Sequence, residues 1–118
     1  MKDHRLHKAY DQFVAAVPTT DLFAQGRQAS IWLRGKYSEM FVRYSPSANE
    51  FVLANLNVYP KYRGQHVLKN FVNHIKQQTI KIENAMPDVV FIYERLGFEK
   101  LSSPYEEGFG VYQMIKRK

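Results

Sequence analysis

Between Glu50 and Glu83 the chain carries no acidic residue, yet Lys61, Arg63, Lys69, Lys76 and Lys81 fall there, with His66 and His74 beside them. At the centre of this stretch Tyr59-Pro60-Lys61-Tyr62-Arg63-Gly64-Gln65-His66 separates an apolar run from an amphipathic one. A strand followed by a tight turn and a helix start presents backbone N–H groups and the positive end of a helix dipole, which together attract anions. With cations clustered at the same place, a phosphate-bearing ligand is the chemistry these residues suit.

The flanking elements must hold that turn. In Phe51–Val58, Val52, Ala54, Leu56 and Val58 alternate with Phe51, Leu53, Asn55 and Asn57, the period of a strand. Strict alternation puts the first four on one face and the second four on the other. From Val67, the residues Val67, Leu68, Phe71, Val72 and Ile75 form one helical stripe, with Lys69, Asn70, Asn73, Lys76 and Gln77 opposite.

The segment Val58-Tyr59-Pro60-Lys61-Tyr62-Arg63-Gly64-Gln65 resembles the acetyl-coenzyme A loop of the GNAT superfamily of N-acetyltransferases, V-x-P-x-Y-R-G-Q-G-I-G. Further on, Phe91-Ile92-Tyr93-Glu94-Arg95-Leu96-Gly97-Phe98 is similar to the second signature of that family, F-Y-E-K-L-G-F. Both lie in the family's order across the C-terminal half. Two departures stand in the loop: His66 and Leu68 occupy positions where the family has small residues, and glycine there allows close approach of backbone to a pyrophosphate.

The resemblance implies an α+β fold with a mixed, mainly antiparallel central sheet, helices on both faces, and a shortened N-terminal portion lacking the family's first strand. It implies an acetyl-coenzyme A dependent N-acetyltransferase. Leu56, Asn57 and Val58 would pair with the pantetheine arm as an added strand. The loop Arg63, Gly64, Gln65, His66, Val67 and Leu68, with Lys69, would hold the pyrophosphate. Asn84 would bond a pantetheine amide, and Tyr93 would be the general acid that protonates the departing thiolate. Without the resemblance, Tyr93 reads as a packed tyrosine on an apolar helix face.

Family members often carry a glutamate on the central strand as base, and Phe51–Tyr59 has none; Glu50 is the nearest carboxylate. With no base, the acceptor loses its proton to solvent. At pH 7 that costs a lysine side chain about 4.6 kcal/mol and an α-amine about 1.1 kcal/mol. A terminal or other weakly basic amine, on a protein or a small molecule, is the easier acceptor.

At 118 residues the chain reads as one domain. It contains no cysteine, which excludes a disulfide framework, a thiolate metal site and a cysteine nucleophile. There is no signal-peptide core and no apolar run long enough to span a bilayer, so a cytoplasmic protein without a membrane partner is expected. His4 and His7 are three apart on a helix, but no third ligand accompanies them; they read as surface histidines and no metal is expected. The net charge of +6 with 14% aromatic residues keeps two other readings open: a nucleic-acid-binding basic domain, and a non-catalytic protein-interaction module on the same fold. Nothing in the sequence sets the oligomeric state.

The remaining elements follow from periodicity. Leu6, Tyr10, Phe13, Val14 and Val17 mark a first helix, with Asp3 as N-cap and Pro18 as its end. Thr20 or Asp21 would cap a turn of helix around Leu22 and Phe23. Ser30–Arg34 and Tyr37–Ser45 read as strands joined at Gly35-Lys36, antiparallel to each other and to the strand that follows. Thr79–Ile82 reads as a short strand parallel to Phe51–Val58. A helix from Asp88 with Val89, Ile92, Tyr93 and Leu96 on one side ends at Gly97, and Phe98–Leu101 with Phe109–Lys116 closes the chain as a hairpin around 102–108.

Overall fold

The computed structural model describes residues 1–17, 27–101 and 110–118. In chain order the elements are α1 (His4–Ala16), β1 (Ala29–Arg34), β2 (Ser38–Ser45), β3 (Glu50–Val58), a 3-10 turn (Pro60–Tyr62), α2 (Val67–His74), β4 (Thr79–Ala85), α3 (Val90–Arg95), β5 (Glu99–Leu101) and β6 (Tyr112–Arg117). The strands form one six-stranded sheet in the order β1-β2-β3-β4-β6-β5, and only β3 and β4 pair in parallel. This is the mixed, mainly antiparallel α+β arrangement that the sequence implied. The expected helical turn around Leu22 and Phe23 and the loop 102–108 lie outside the described residues.

α1 starts at Asp3, whose carboxylate accepts from the Leu6 N–H at 3.2 Å. It ends at Val17, in extended backbone as the residue before a proline prefers. The core lies between the sheet and the three described helices: Leu6 and Tyr10 of α1, Phe71 and Val72 of α2 and Val90 of α3 pack with Phe51, Leu53, Ile80, Ile82 and Met114. α2 and α3 contribute to one core, and β3-α2-β4 and β4-α3-β5 step across the sheet in the same direction. On the opposite face, Arg43 of β2 reaches across β3 to Glu83 of β4, and Glu50 pairs with Lys81 at 3.2 Å. These pairs, with Gln28, Val52 and Gln113, line a shallow cleft of roughly 180 Å3.

Three findings correct the sequence reading. First, β3 does not alternate strictly. Phe41 lies opposite Asn55 and Val42 opposite Leu53, so Ala54 is an extra residue, a β-bulge. Beyond it the faces exchange: Leu56 sits opposite the buried Met40 and packs on the same core as Phe51 and Leu53. Second, β4 continues to Ala85, past the break expected after Ile82. Third, α3 buries Val90 and half-buries Tyr93 and Leu96, while Ile92 remains 41% exposed. Gly97 does take the expected left-handed cap, with φ of 95°.

His7 is the other departure. It is not a surface histidine but 5% exposed, its ring 4.3 Å from that of His74 and 5.9 Å from that of Phe71. Among the described residues neither ring nitrogen has a hydrogen-bond partner. The spacing of His4 and His7 on α1 gives no hint of this, because α2 comes to cover the position only through tertiary packing.

Candidate functional site

The bulge at Ala54 decides the site. β3 and β4 pair in parallel from Glu50↔Thr79 to Leu53↔Ile82 and then separate. β4 and β6 shift register over the same stretch, between Ile82 and Ala85. On its β4 side the backbone of Asn55–Val58 therefore has no strand partner among the described residues. Such an edge accepts an extended ligand as one more strand. The Asn84 side-chain amide spans the mouth of the opening, donating to the Ala54 carbonyl at 3.0 Å.

Beyond β3 the chain makes the 3-10 turn at Pro60–Tyr62 and bends twice through left-handed backbone, at Gly64 with φ of 78° and at His66 with φ of 63°. His66 takes the N-cap position of α2 without a side-chain capping bond. The first helical hydrogen bond closes from Asn70 N to His66 O at 2.9 Å. Among the described residues no backbone N–H from Gly64 to Lys69 donates to a protein acceptor. A run of free donors at a helix start fits a pyrophosphate. A Cβ added at Gly64 would meet nothing within 4 Å, so the turn is open to solvent on that side.

The side chains of the loop divide by role. Val67 is buried and Leu68 packs against the core, which explains why neither needs to be small. Gln65 bonds the Lys61 carbonyl at 3.2 Å and Arg63 turns back to donate from Nε to the Val58 carbonyl at 2.8 Å. Both bonds brace the turn. Lys61, Lys69 and His66 remain exposed. His66 thus fulfils by an unusual residue the left-handed conformation that glycine would adopt without strain.

Tyr93 lies on α3, which begins just past the end of β4. Burial pushes its hydroxyl above the ordinary tyrosine range, and the Asp88 carboxylate adds to the shift. The phenol is therefore fully protonated at neutral pH, the state a proton donor requires. Glu50, the first residue of β3, is held by Lys81. Glu83, which the sequence reading did not consider, is held by both guanidinium nitrogens of Arg43. Among the described residues no group of three His, Cys, Asp or Glu side chains is placed to hold a metal ion, and no helix is long and apolar enough to cross a membrane.

No protein-family model and no curated protein matches the sequence. Solved structures do match the fold. A protein of Agrobacterium tumefaciens designated an acetyltransferase is 19% identical with a TM-score of 0.58, over 92% of this chain and 85% of that one. An acetyltransferase from Bacillus cereus ATCC 14579 is 12% identical with a TM-score of 0.52, over 94% of this chain and 87% of that one. An acetyltransferase of the GNAT family from Staphylococcus aureus Mu50 is 12% identical with a TM-score of 0.53, over 69% and 59% of the two chains. The fold is that of the GNAT acetyltransferases.

Proposed function

We propose that this chain is a single-domain, cytoplasmic N-acetyltransferase that takes its acyl group from acetyl-coenzyme A. The observation that carries the reading is the coincidence of two features: β3 and β4 part after Leu53 and Ile82, and the next turn offers unpaired N–H groups from Gly64 to Lys69. One accepts an extended amide-bearing arm, the other a pyrophosphate, and coenzyme A joins those two parts in one molecule. In this reading the backbone of Leu56, Asn57 and Val58 pairs with the pantetheine arm. Asn84, already bonded to Ala54, offers its carbonyl oxygen to a pantetheine N–H. Arg63 and Gln65 shape the cradle, and Lys69 screens the phosphate charge.

Coenzyme A supplies the thioester and leaves as a thiol. A neutral amine nitrogen attacks the carbonyl carbon, the C–S bond breaks, Tyr93 gives its proton to the sulfur, and the proton shed by the nitrogen as the amide forms passes to solvent, from which Tyr93 is reprotonated. With Glu50 and Glu83 engaged in ion pairs, the amine is delivered neutral from solvent, which favours an α-amine or another weakly basic amine over a lysine side chain.

Isothermal calorimetry with acetyl-coenzyme A tests the reading. Binding in the micromolar to low millimolar range is expected, and loss of binding on blocking the loop with a Gly64→Val, His66→Pro double substitution should follow. No heat at millimolar donor refutes it and leaves the protein-interaction module as the reading of the fold.

A further inference from the structure

Four segments meet at the end of the sheet where the loop lies. Asp3, ahead of α1, accepts from the Lys36 and Tyr37 N–H groups at 3.0 and 2.9 Å and from the Ser38 hydroxyl at 3.0 Å. Tyr59 N donates to Tyr37 O at 2.9 Å, and the Asn70 side chain donates to Met1 O at 2.7 Å. The start of α1, the β1–β2 turn, the end of β3 and the start of α2 are thereby locked together.

The charges on this end have one sign. Lys2, Arg5, Lys36, Lys61, Arg63 and Lys69 are all exposed, and among the described residues none forms an ion pair. Asp3 is fully buried with its oxygens occupied. Glu39, on the adjoining strand, is paired with Arg34. Between the cations lie two half-buried tyrosines, Tyr37 and Tyr62, with ring centroids 4.4 Å apart. The Lys36 ammonium sits 5.6 Å from the first ring and the Lys61 ammonium 5.9 Å from the second.

A pyrophosphate on the loop would draw on Arg63 and Lys69. It leaves Lys2, Arg5, Lys36 and Lys61 without a counter-charge. Exposed cations set beside aromatic rings are the combination that holds the backbone and bases of a single strand. We infer that this end of the molecule binds single-stranded nucleic acid, its phosphates running past Lys2, Arg5, Lys36 and Lys61 and a base lying against the Tyr37–Tyr62 pair. An acidic protein segment would satisfy the charges but leave the tyrosines unused. The inference does not depend on acetyl transfer.

Fluorescence anisotropy with labelled oligo-uridine and oligo-thymidine tests it. With four phosphates neutralised, log affinity should fall with log salt at a slope of about −3. The combined variant Lys2→Glu, Arg5→Glu, Lys36→Glu should weaken binding at least tenfold and leave acetyl-coenzyme A calorimetry unchanged, while Lys100→Glu with Arg117→Glu should not weaken it beyond twofold. Tyr62→Leu should cost at least fivefold. Absence of binding at 50 mM salt overturns the inference, as does equal loss in the two charge-reversal variants. Equally effective competition by polyglutamate of matched charge also overturns it and points to an acidic protein instead.

Discussion

The Asp3 carboxylate occupies the space where a side chain on Gly35 would begin: a Cβ added there would lie 2.2 Å from Oδ2 and 2.6 Å from Cγ of Asp3. One residue thus caps α1 and pins the turn between β1 and β2, and the turn is glycine because the cap is there. Asp3→Ala should destabilise the fold by about 3 kcal/mol, since it removes an N-cap and leaves the part-buried Lys36 and Tyr37 N–H groups and the buried Ser38 hydroxyl without their acceptor. Gly35→Ala should cost a similar amount alone and under about 1 kcal/mol in the Asp3→Ala background. Additive losses in urea denaturation would separate the two residues.

Asp3 also sets an acid limit. Burial pushes its pKa up, but the N–H groups of Tyr37, Lys36 and Leu6 and the Ser38 hydroxyl outweigh this and the net shift is downward. Its contribution is present above the ordinary carboxylate range and is lost as pH falls through the depressed value.

His7 acts in a higher window. Burial, the facing His74 and the nearby Lys2 lower its pKa to about 4, against the opposing pull of Asp3. The unfolded chain binds the proton first, so stability should fall as pH drops from about 6.5 to about 4 and level off below. The full effect is at most about 3 kcal/mol. Melting temperatures of His7→Phe should show a shallower decline across that window than the parent protein; an unchanged decline would assign the pH dependence to other groups.

Removing the Tyr93 hydroxyl should act on the chemical step alone. Tyr93→Phe is expected to lower kcat by about 100-fold with donor affinity unchanged, because the proton moves only as the thiolate departs. Equal losses in kcat and in acetyl-coenzyme A affinity would make Tyr93 a packing residue.

His66 holds a left-handed backbone conformation with no capping bond to offset it. His66→Gly should be neutral or stabilising by up to about 1 kcal/mol, with donor affinity changed by less than threefold. A tenfold loss of affinity in calorimetry would instead make the imidazole a phosphate ligand.

The local elements were legible because each has a periodic apolar stripe and a chemical stop: Asp3 before α1, Gly97 after α3, Pro60 after β3. What the sequence hid is what distant segments do to one another. The bulge at Ala54 has no glycine or proline to announce it and arises from pairing with Val42. Reading β3 as strictly alternating put Leu56 on the wrong face. The burial of His7 depends on α2, and Asp3 looks like a cap until the β1–β2 turn is seen to close on it. For the candidate site, the turn and its anion-binding character could be read from Pro60 to Lys69. The parting of β3 from β4, which gives the turn a partner, was implied only by the resemblance and not by the pattern of the residues.

The place of β6 has a consequence for how the protein is made. It is the last of the described strands in chain order but lies inside the sheet, between β4 and β5, and lysines on it and just past it reach the ends of two helices: Lys116 donates to the Leu96 carbonyl beyond α3, and Lys118 to the Ile75 carbonyl beyond α2. Until residues 112–118 are in place, β4 and β5 have nothing between them, and both helices lack their terminal partners. The half-made sheet exposes two unsatisfied edges of the kind that recruit other chains. Folding of this half must wait for residues 112–118, and chains truncated before Tyr112 should be cut by protease within β4 while chains that include these residues resist.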